Sequence, residues 1–190
     1  MKFDPARRRR LTSAERRKRL PPETILASIG LRAGQTLVDI GAGTGFFSIP
    51  AAAIVGRTGR VYALDISRDM LADLKATIRR RKIKNIRPIL AEETESDLPA
   101  GADFYFLANV FHELEDREKY LRRIRERMAS SSRAVVIDYH KKPSEHGPPV
   151  RERVSLRAAK ALFEKCGYRI ERTFRVNDEE YGLIAAPLIA

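Results

Sequence analysis

Cysteine is nearly absent. Cys166 is the only one in 190 residues, which excludes an internal disulfide and any metal site built on several thiolates. Long apolar runs are missing as well, and none approaches the roughly 20 residues of a membrane-spanning helix. No apolar segment follows the basic N-terminus, so a secretory signal is not expected and a cytoplasmic protein is. Asparagine and glutamine are scarce while charged residues make up 33% of the chain. Thermophile proteins show that balance, and an arginine bias from a GC-rich genome gives it too. No internal repeat or low-complexity tract interrupts the sequence.

The charge that is present is unevenly spread. The formal net charge is +12, and residues 1–20 hold nine Lys and Arg against Asp4 and Glu15. Residues 1–21 therefore read as a basic arm, with clusters at 7–10 and 16–19 and Ser13 placed to cap a helix starting at Ala14. Such an arm suits phosphate contacts, or it is a solvated helical extension over the core. Its clusters lack the aromatics that single-strand binders interleave. Residues 22–190 have the length of one domain.

Everything after the arm is arranged around Val38-Asp39-Ile40-Gly41-Ala42-Gly43-Thr44-Gly45. The apolar run 36–40 predicts a buried strand, the glycines a tight turn, and 46–55 a helix. Glycines admit positive φ and let a ligand approach the backbone. The new helix offers free N–H groups at the same place. No Gly-Lys-Ser/Thr follows, so this is not a Walker A loop. Phe46 stands where a dinucleotide fingerprint has its third glycine, which disfavours a pyrophosphate ligand and a dinucleotide oxidoreductase.

Further strands are predicted at 60–65, 86–90, 104–108 and 133–139. Helices are predicted from Pro22 through Leu26, Ile29 and Leu31, after Ser67 with Met70, Leu71, Leu74 and Ile78, through 120–128, and after Ser155. Cys166 falls on the apolar face of the last, as core packing. Strands at 168–176 and 181–188 then close the chain as an antiparallel pair around 177–180. The alternation predicts an α/β open sheet with helices on both faces. Ligands bind at the carboxyl ends of such strands. That edge gathers the glycine turn, Asp65, Glu92 and Glu93, Asn109 with His112 and Glu113, and the loop 139–149.

With these residues in place, the chain resembles a class I S-adenosylmethionine-dependent methyltransferase. The glycine turn, Asp65 after the second strand and Asn109 after the fourth carry the likeness. It is most similar to the small single-domain branch near the ubiquinone and menaquinone methyltransferases. Pro22-Glu23, Glu92-Glu93, Asn109-Val110-Phe111-His112-Glu113-Leu114 and Gly147-Pro148-Pro149 match segments that recur there. The resemblance implies a Rossmann-like sheet ordered 3-2-1-4-5-7-6 with strand 7 antiparallel, and S-adenosyl-L-methionine as cofactor. It assigns the backbone from Gly41 through Ala42 to Gly43 to the methionine part, with Asp39 near the ammonium. Asp65 would take the ribose hydroxyls and Ile66 would pack on adenine, with Met70 early enough in its helix to touch the ligand. Glu92 would accept from the adenine amino group beside the Glu93 backbone, and Asn109 would place its carbonyl at the ammonium.

The expected reaction is methyl transfer to a small-molecule acceptor by in-line displacement, with no metal and no protein nucleophile. The alternative is a tRNA or rRNA methyltransferase that uses the basic arm. No Asp/Asn-Pro-Pro-Tyr/Phe follows the fourth strand, which argues against base-amine methylation. No cysteine sits there for C5 chemistry, and thiol ligands for arsenite are missing. A cofactor-binding protein without catalysis stays open. His112 is the candidate base or substrate contact, with His140 and His146 on the facing loop as lesser candidates.

Overall fold

The computed structural model describes residues 14–91 and 98–188. In chain order the elements are α1 (Ala14–Arg19), α2 (Pro22–Ser28), β1 (Thr36–Ile40), α3 (Ser48–Val55), β2 (Arg60–Asp65), α4 (Arg68–Arg80), β3 (Ile86–Leu90), β4 (Phe104–Ala108), α5 (Arg117–Arg127), β5 (Arg133–Tyr139), α6 (Leu156–Lys165), β6 (Tyr168–Arg175) and β7 (Glu180–Pro187). The seven strands run in the order β3-β2-β1-β4-β5-β7-β6. β2 pairs in parallel with β1 and β3, β4 pairs in parallel with β5, and β7 runs antiparallel to β5 and β6. This is the Rossmann-like order that the resemblance implies. The chain packs as two compact units that divide between Pro99 and Ala100.

In the first unit, β1 is buried along its length after Thr36, as suits an apolar strand covered on both faces. The helix predicted from residue 46 starts at Ser48 instead. Gly45 N donates to Ala42 O at 2.9 Å and closes the turn, and Phe46 and Phe47 are both buried, edge to face at 5.1 Å. Pro50 falls in the first turn of α3, where its missing N–H costs no helical bond. The helix predicted through Leu31 stops at Ser28. Leu31 N donates to Leu26 O and Gly30 N to Ala27 O, the two bonds of a Schellman cap. Ser67 caps α4 by accepting from Met70 N, and Met70, Leu71 and Leu74 line its buried face.

In the second unit, every residue of β4 is buried, and β7 is buried up to Pro187. The edge strand β6 exposes Arg169, Glu171, Arg172, Thr173 and Arg175, and these charges blunt pairing with another chain. Asp116 caps α5 and Ser155 caps α6. Cys166 is 1% exposed, its Sγ 3.7 Å from Glu118 O, in the packing role expected of it. The last strand begins at Glu180, one residue earlier than predicted, so Glu180 belongs to the sheet and not to the turn. Among the described residues no helix is long and apolar enough to cross a membrane.

Candidate functional site

The first unit contributes the turn after β1. Gly41, Gly43 and Gly45 take positive φ of 71, 55 and 91°. A Cβ on Gly45 would lie 2.5 Å from Leu74 Cδ1, so the missing side chain lets the turn press onto α4. A Cβ on Gly43 would meet nothing within 4 Å, and a ligand can approach the main chain there. Asp65, at the end of β2, clamps this turn to the start of α4. Its Oδ2 accepts from Gly43 N at 2.7 Å and its Oδ1 from Ser67 N at 2.8 Å. Each oxygen keeps lone-pair capacity for a further donor. Burial raises the Asp65 pKa above its usual 3.8, and the N–H groups of Ser67 and Gly43 pull it back.

Around that clamp, Asp39 is 2% exposed and accepts from Ser48 Oγ at 2.5 Å. Burial pushes its carboxyl up to about 7, with the Ser48 hydroxyl opposing the rise and Asp65 adding to it. Ala42 is buried, its N donating to Leu64 O at 2.9 Å. Thr44 Oγ1 is buried and has no hydrogen-bond partner. Ile66 is 48% exposed, an apolar side chain left in solvent next to Asp65. Met70 is 3% exposed and sits in the core. Glu92 and Glu93 lie outside the described residues.

The second unit contributes the segment after β4. Asn109 adopts φ 58°, a left-handed conformation uncommon outside glycine. Its N donates to Ile137 O at 2.8 Å, and its Nδ2 donates to Glu180 Oε1 at 3.0 Å. A carboxylate only accepts, so this bond sets the orientation of the amide. Asn109 Oδ1 is left buried and unpartnered. Glu180 is fully buried and also accepts from Asn177 Nδ2 at 2.6 Å.

His112 follows on a short 3₁₀ turn, Phe111–Glu113. Its main-chain N donates to Asp138 Oδ2 at 2.9 Å, and its ring Nδ1 lies 2.8 Å from Asp138 Oδ1. Asp138 is fully buried. A carboxylate accepts, so Asp138 takes Nδ1–H and Nε2 is the ring nitrogen turned away from it. The Glu113 carboxylate stands 3.7 Å from Nε2, beyond hydrogen-bond reach. Arg117 steadies the same segment, donating Nε–H to Phe111 O at 2.9 Å and a terminal N–H to His112 O at 2.5 Å. A cavity of about 330 Å³ opens here, lined by His112, Arg117, Lys141, the segment from Arg151 to Ser155, and Ala158.

His140 and His146 do not line this cavity. The His140 ring packs on Tyr181 at 5.5 Å, and burial, with Lys142 and Arg175, lowers its pKa. His146 Nδ1 pairs with Glu179 Oε2 at 3.0 Å. The loop that carries both is held by Arg153, which is 4% exposed and donates to Pro148 O, Lys142 O, Ser144 Oγ and His146 O at 2.7–2.9 Å.

Asp138, Glu180 and Arg153 escaped the reading of the sequence. Asp138 left a signal: it is a lone acid inside the apolar strand Val135-Val136-Ile137-Asp138-Tyr139, as Asp39 is in Val38-Asp39-Ile40. Glu180 and Arg153 left none, since both lie in charged surroundings. The first arm cluster, 7–10, lies outside the described residues. In the second, Arg16 sits 4.3 Å over the Phe46 ring and Arg17 pairs with Glu23, so these two cations engage their own chain. Among the described residues no group of His, Cys, Asp and Glu could hold a metal ion.

Comparison with known proteins adds a family. Residues 38–133 match a family model described as a methyltransferase domain. The crystal structure of an S-adenosylmethionine-dependent methyltransferase from Aquifex aeolicus is 30% identical, with a TM-score of 0.93 over 98% of this chain and 100% of that one. A probable cobalt-precorrin-6B C(15)-methyltransferase (decarboxylating) of Pyrobaculum calidifontis is 38% identical over 86 residues, 43% of each chain. The ubiquinone/menaquinone biosynthesis C-methyltransferase UbiE of Klebsiella pneumoniae is 28% identical over 119 residues, 59% of this chain and 45% of that one. The chain thus spans less than half the length of these two curated relatives.

Proposed function

The chain belongs to the S-adenosylmethionine-dependent methyltransferase family, and from that footing we propose that it moves a methyl group to a small-molecule acceptor. The observation that carries the reading is the clamped glycine turn. Asp65 holds Gly43 N and Ser67 N yet keeps lone-pair capacity for ribose hydroxyls, and Gly43 faces open space. Two further features fit this cofactor. Thr44 Oγ1 is a buried group in need of a partner, and Asn109 Oδ1 is a buried acceptor suited to an ammonium donor.

When bound, the cofactor supplies a methyl group already activated on a sulfonium sulfur, so the protein needs to contribute alignment and a dry site. The main chain at Gly41, Ala42 and Gly43 holds the methionine part. Asp39 sets the local charge near the ammonium, and Ile66 offers its exposed face to adenine. Glu92 and Glu93 are assigned to the base by the family pattern. His112, oriented by Asp138, accepts the acceptor's proton at Nε2. Met70, 3% exposed at the start of α4, supports Ser67 and Asp65 through the core.

Calorimetry with S-adenosylhomocysteine tests the cofactor half. Binding is expected, and Asp65→Ala weakens it by about 3 kcal/mol, roughly a hundredfold, through two lost charged hydrogen bonds. No binding, or equal binding by the variant, would overturn it. Labelled S-adenosylmethionine with a cell extract tests the acceptor half. Label in the small-molecule fraction supports the reading, and label in RNA replaces it with the RNA alternative.

A further inference from the structure

The cavity beside His112 is more basic than methyl transfer requires. Among the described residues, Arg117, Lys141, Arg151 and Arg153 line it against one carboxylate, Glu152, and their charge is largely uncancelled. Arg117 and Arg153 give N–H groups to main-chain carbonyls, which orient a guanidinium without neutralising it. Arg151 has Glu152 at 3.4 Å, while Arg151 itself is 81% exposed. A concave wall focuses the field of such charges and attracts anions. The same wall holds His112, whose side chain is 7% exposed, whose Nδ1 is engaged by Asp138 and whose Nε2 has no hydrogen-bond partner. An accessible ring nitrogen set in a cationic cavity can meet a polar group of a ligand.

We propose that this cavity is the acceptor site and that it selects a small anionic acceptor. A carboxylate or phosphate group is held by Arg117, Lys141 and Arg151, and a protonated group elsewhere on the same molecule reaches His112 Nε2. The assignment to the acceptor rests on the methyltransferase reading; the binding of an anion does not. A folded nucleic acid matches less well. A space of about 330 Å³ suits a small molecule, and among the described residues no Phe, Tyr or Trp lines it for a base to stack on.

The test uses the full chain at low salt without cofactor. Phenyl phosphate, benzoate and neutral benzyl alcohol are titrated by calorimetry, and the His112 ring nitrogens are followed by NMR. At least one anion binds ten times or more tighter than benzyl alcohol and shifts the His112 signals. The tighter of the two anions identifies the acceptor's charged group. The double variant Lys141→Ala with Arg151→Ala removes two exposed side chains and lowers anion affinity at least tenfold. Equal affinity for the alcohol, unmoved His112 signals or an indifferent double variant overturns the proposal. So does binding confined to a short oligoribonucleotide. A parallel titration with S-adenosylhomocysteine separates the two readings. Cofactor binding without anion binding sinks this inference alone, and anion binding without cofactor binding sinks the methyltransferase reading and the acceptor assignment while leaving the anion site.

Discussion

β1 and β5 each carry a buried acid one residue before their end, Asp39 at 2% exposed and Asp138 at 0%. The two acids are used differently. Asp39 has Ser48 as its donor, and burial leaves its carboxyl poised near 7. Asp138 accepts from His112 N, His112 Nδ1 and Tyr139 N, so its charge is met on three sides. What surrounds the two strands differs in the same sense. The first unit offers a ligand a glycine-lined main chain pinned by one carboxylate, Asp65, and the second offers side-chain charge and an oriented imidazole. Main-chain recognition suits a cofactor of constant shape, while side-chain recognition is the part that a chain can alter to change its acceptor.

The sharpest way to break that comparison is Asp138→Asn. An amide has one accepting oxygen where the carboxylate has two, so it cannot serve both His112 N–H and Nδ1–H. The ring then loses the partner that keeps the lone pair on Nε2. The expected loss in kcat is about 10²–10⁴-fold, with S-adenosylhomocysteine affinity unchanged and NMR placing the ring proton on Nε2. Unchanged kcat would remove His112 from proton transfer. A parallel loss of cofactor affinity would end the separation of tasks between the two units.

Asp39→Asn sharpens the other side. Asp39 is raised from 3.8 to about 7 in the fold. Between about pH 4 and 7 the folded chain therefore holds a proton that the unfolded chain has released. Stability contributed by this group falls as pH rises through that window, and the full cost is present above it. About three pH units at roughly 1.4 kcal/mol each put the upper bound near 4 kcal/mol. Denaturant unfolding at pH 8 should find the asparagine variant more stable by up to about 4 kcal/mol, with the gap closing toward pH 4. A variant whose stability follows the wild-type pH profile would show that Asp39 is not protonated in the fold.

Arg153→Lys asks whether the second unit depends on side chains as strongly as its geometry says. Arg153 ties five partners of the loop after β5 with a planar fork. A lysine has three donors on one atom and cannot span them. Buried carbonyls left unpaired cost about 1–3 kcal/mol each, so a loss of about 3 kcal/mol is expected, with faster hydrogen exchange through the loop. A loss under about 1 kcal/mol would mean that the loop holds itself.

These differences explain what could be read in advance. The strands and the glycine turn were legible because their signals are local: apolar runs, glycine spacing, and Asp65 a fixed distance beyond Gly41; the strand order came only with the family resemblance. The helix ends moved, at Ser48 and Ser28, because turn closure and a Schellman cap decided them and not periodicity. His112 was legible as a candidate, but its partner lies 26 residues on, and the Asn109–Glu180 bond spans 71. No local pattern announces such pairs. The cationic cavity was hidden for the same reason. Its cations lie at 117, 141, 151 and 153, and only the fold brings them beside the histidine.

The smallest expected effect returns to the first unit. Gly45→Ala asks whether the main-chain turn tolerates any side chain. The residue sits at φ 91°, and its new Cβ would lie 2.5 Å from Leu74 Cδ1. Leucine can rotate away, but Leu74 is fully buried and would have to leave a packed rotamer. A left-handed alanine costs about 1–2 kcal/mol, and the displaced methyl adds about 1 kcal/mol. Unfolding should therefore show a loss of about 2–3 kcal/mol, with anion binding at the His112 cavity unchanged in the folded protein. If anion affinity falls with the turn, the two units are coupled, and their division into a main-chain half and a side-chain half is a matter of chemistry without independence.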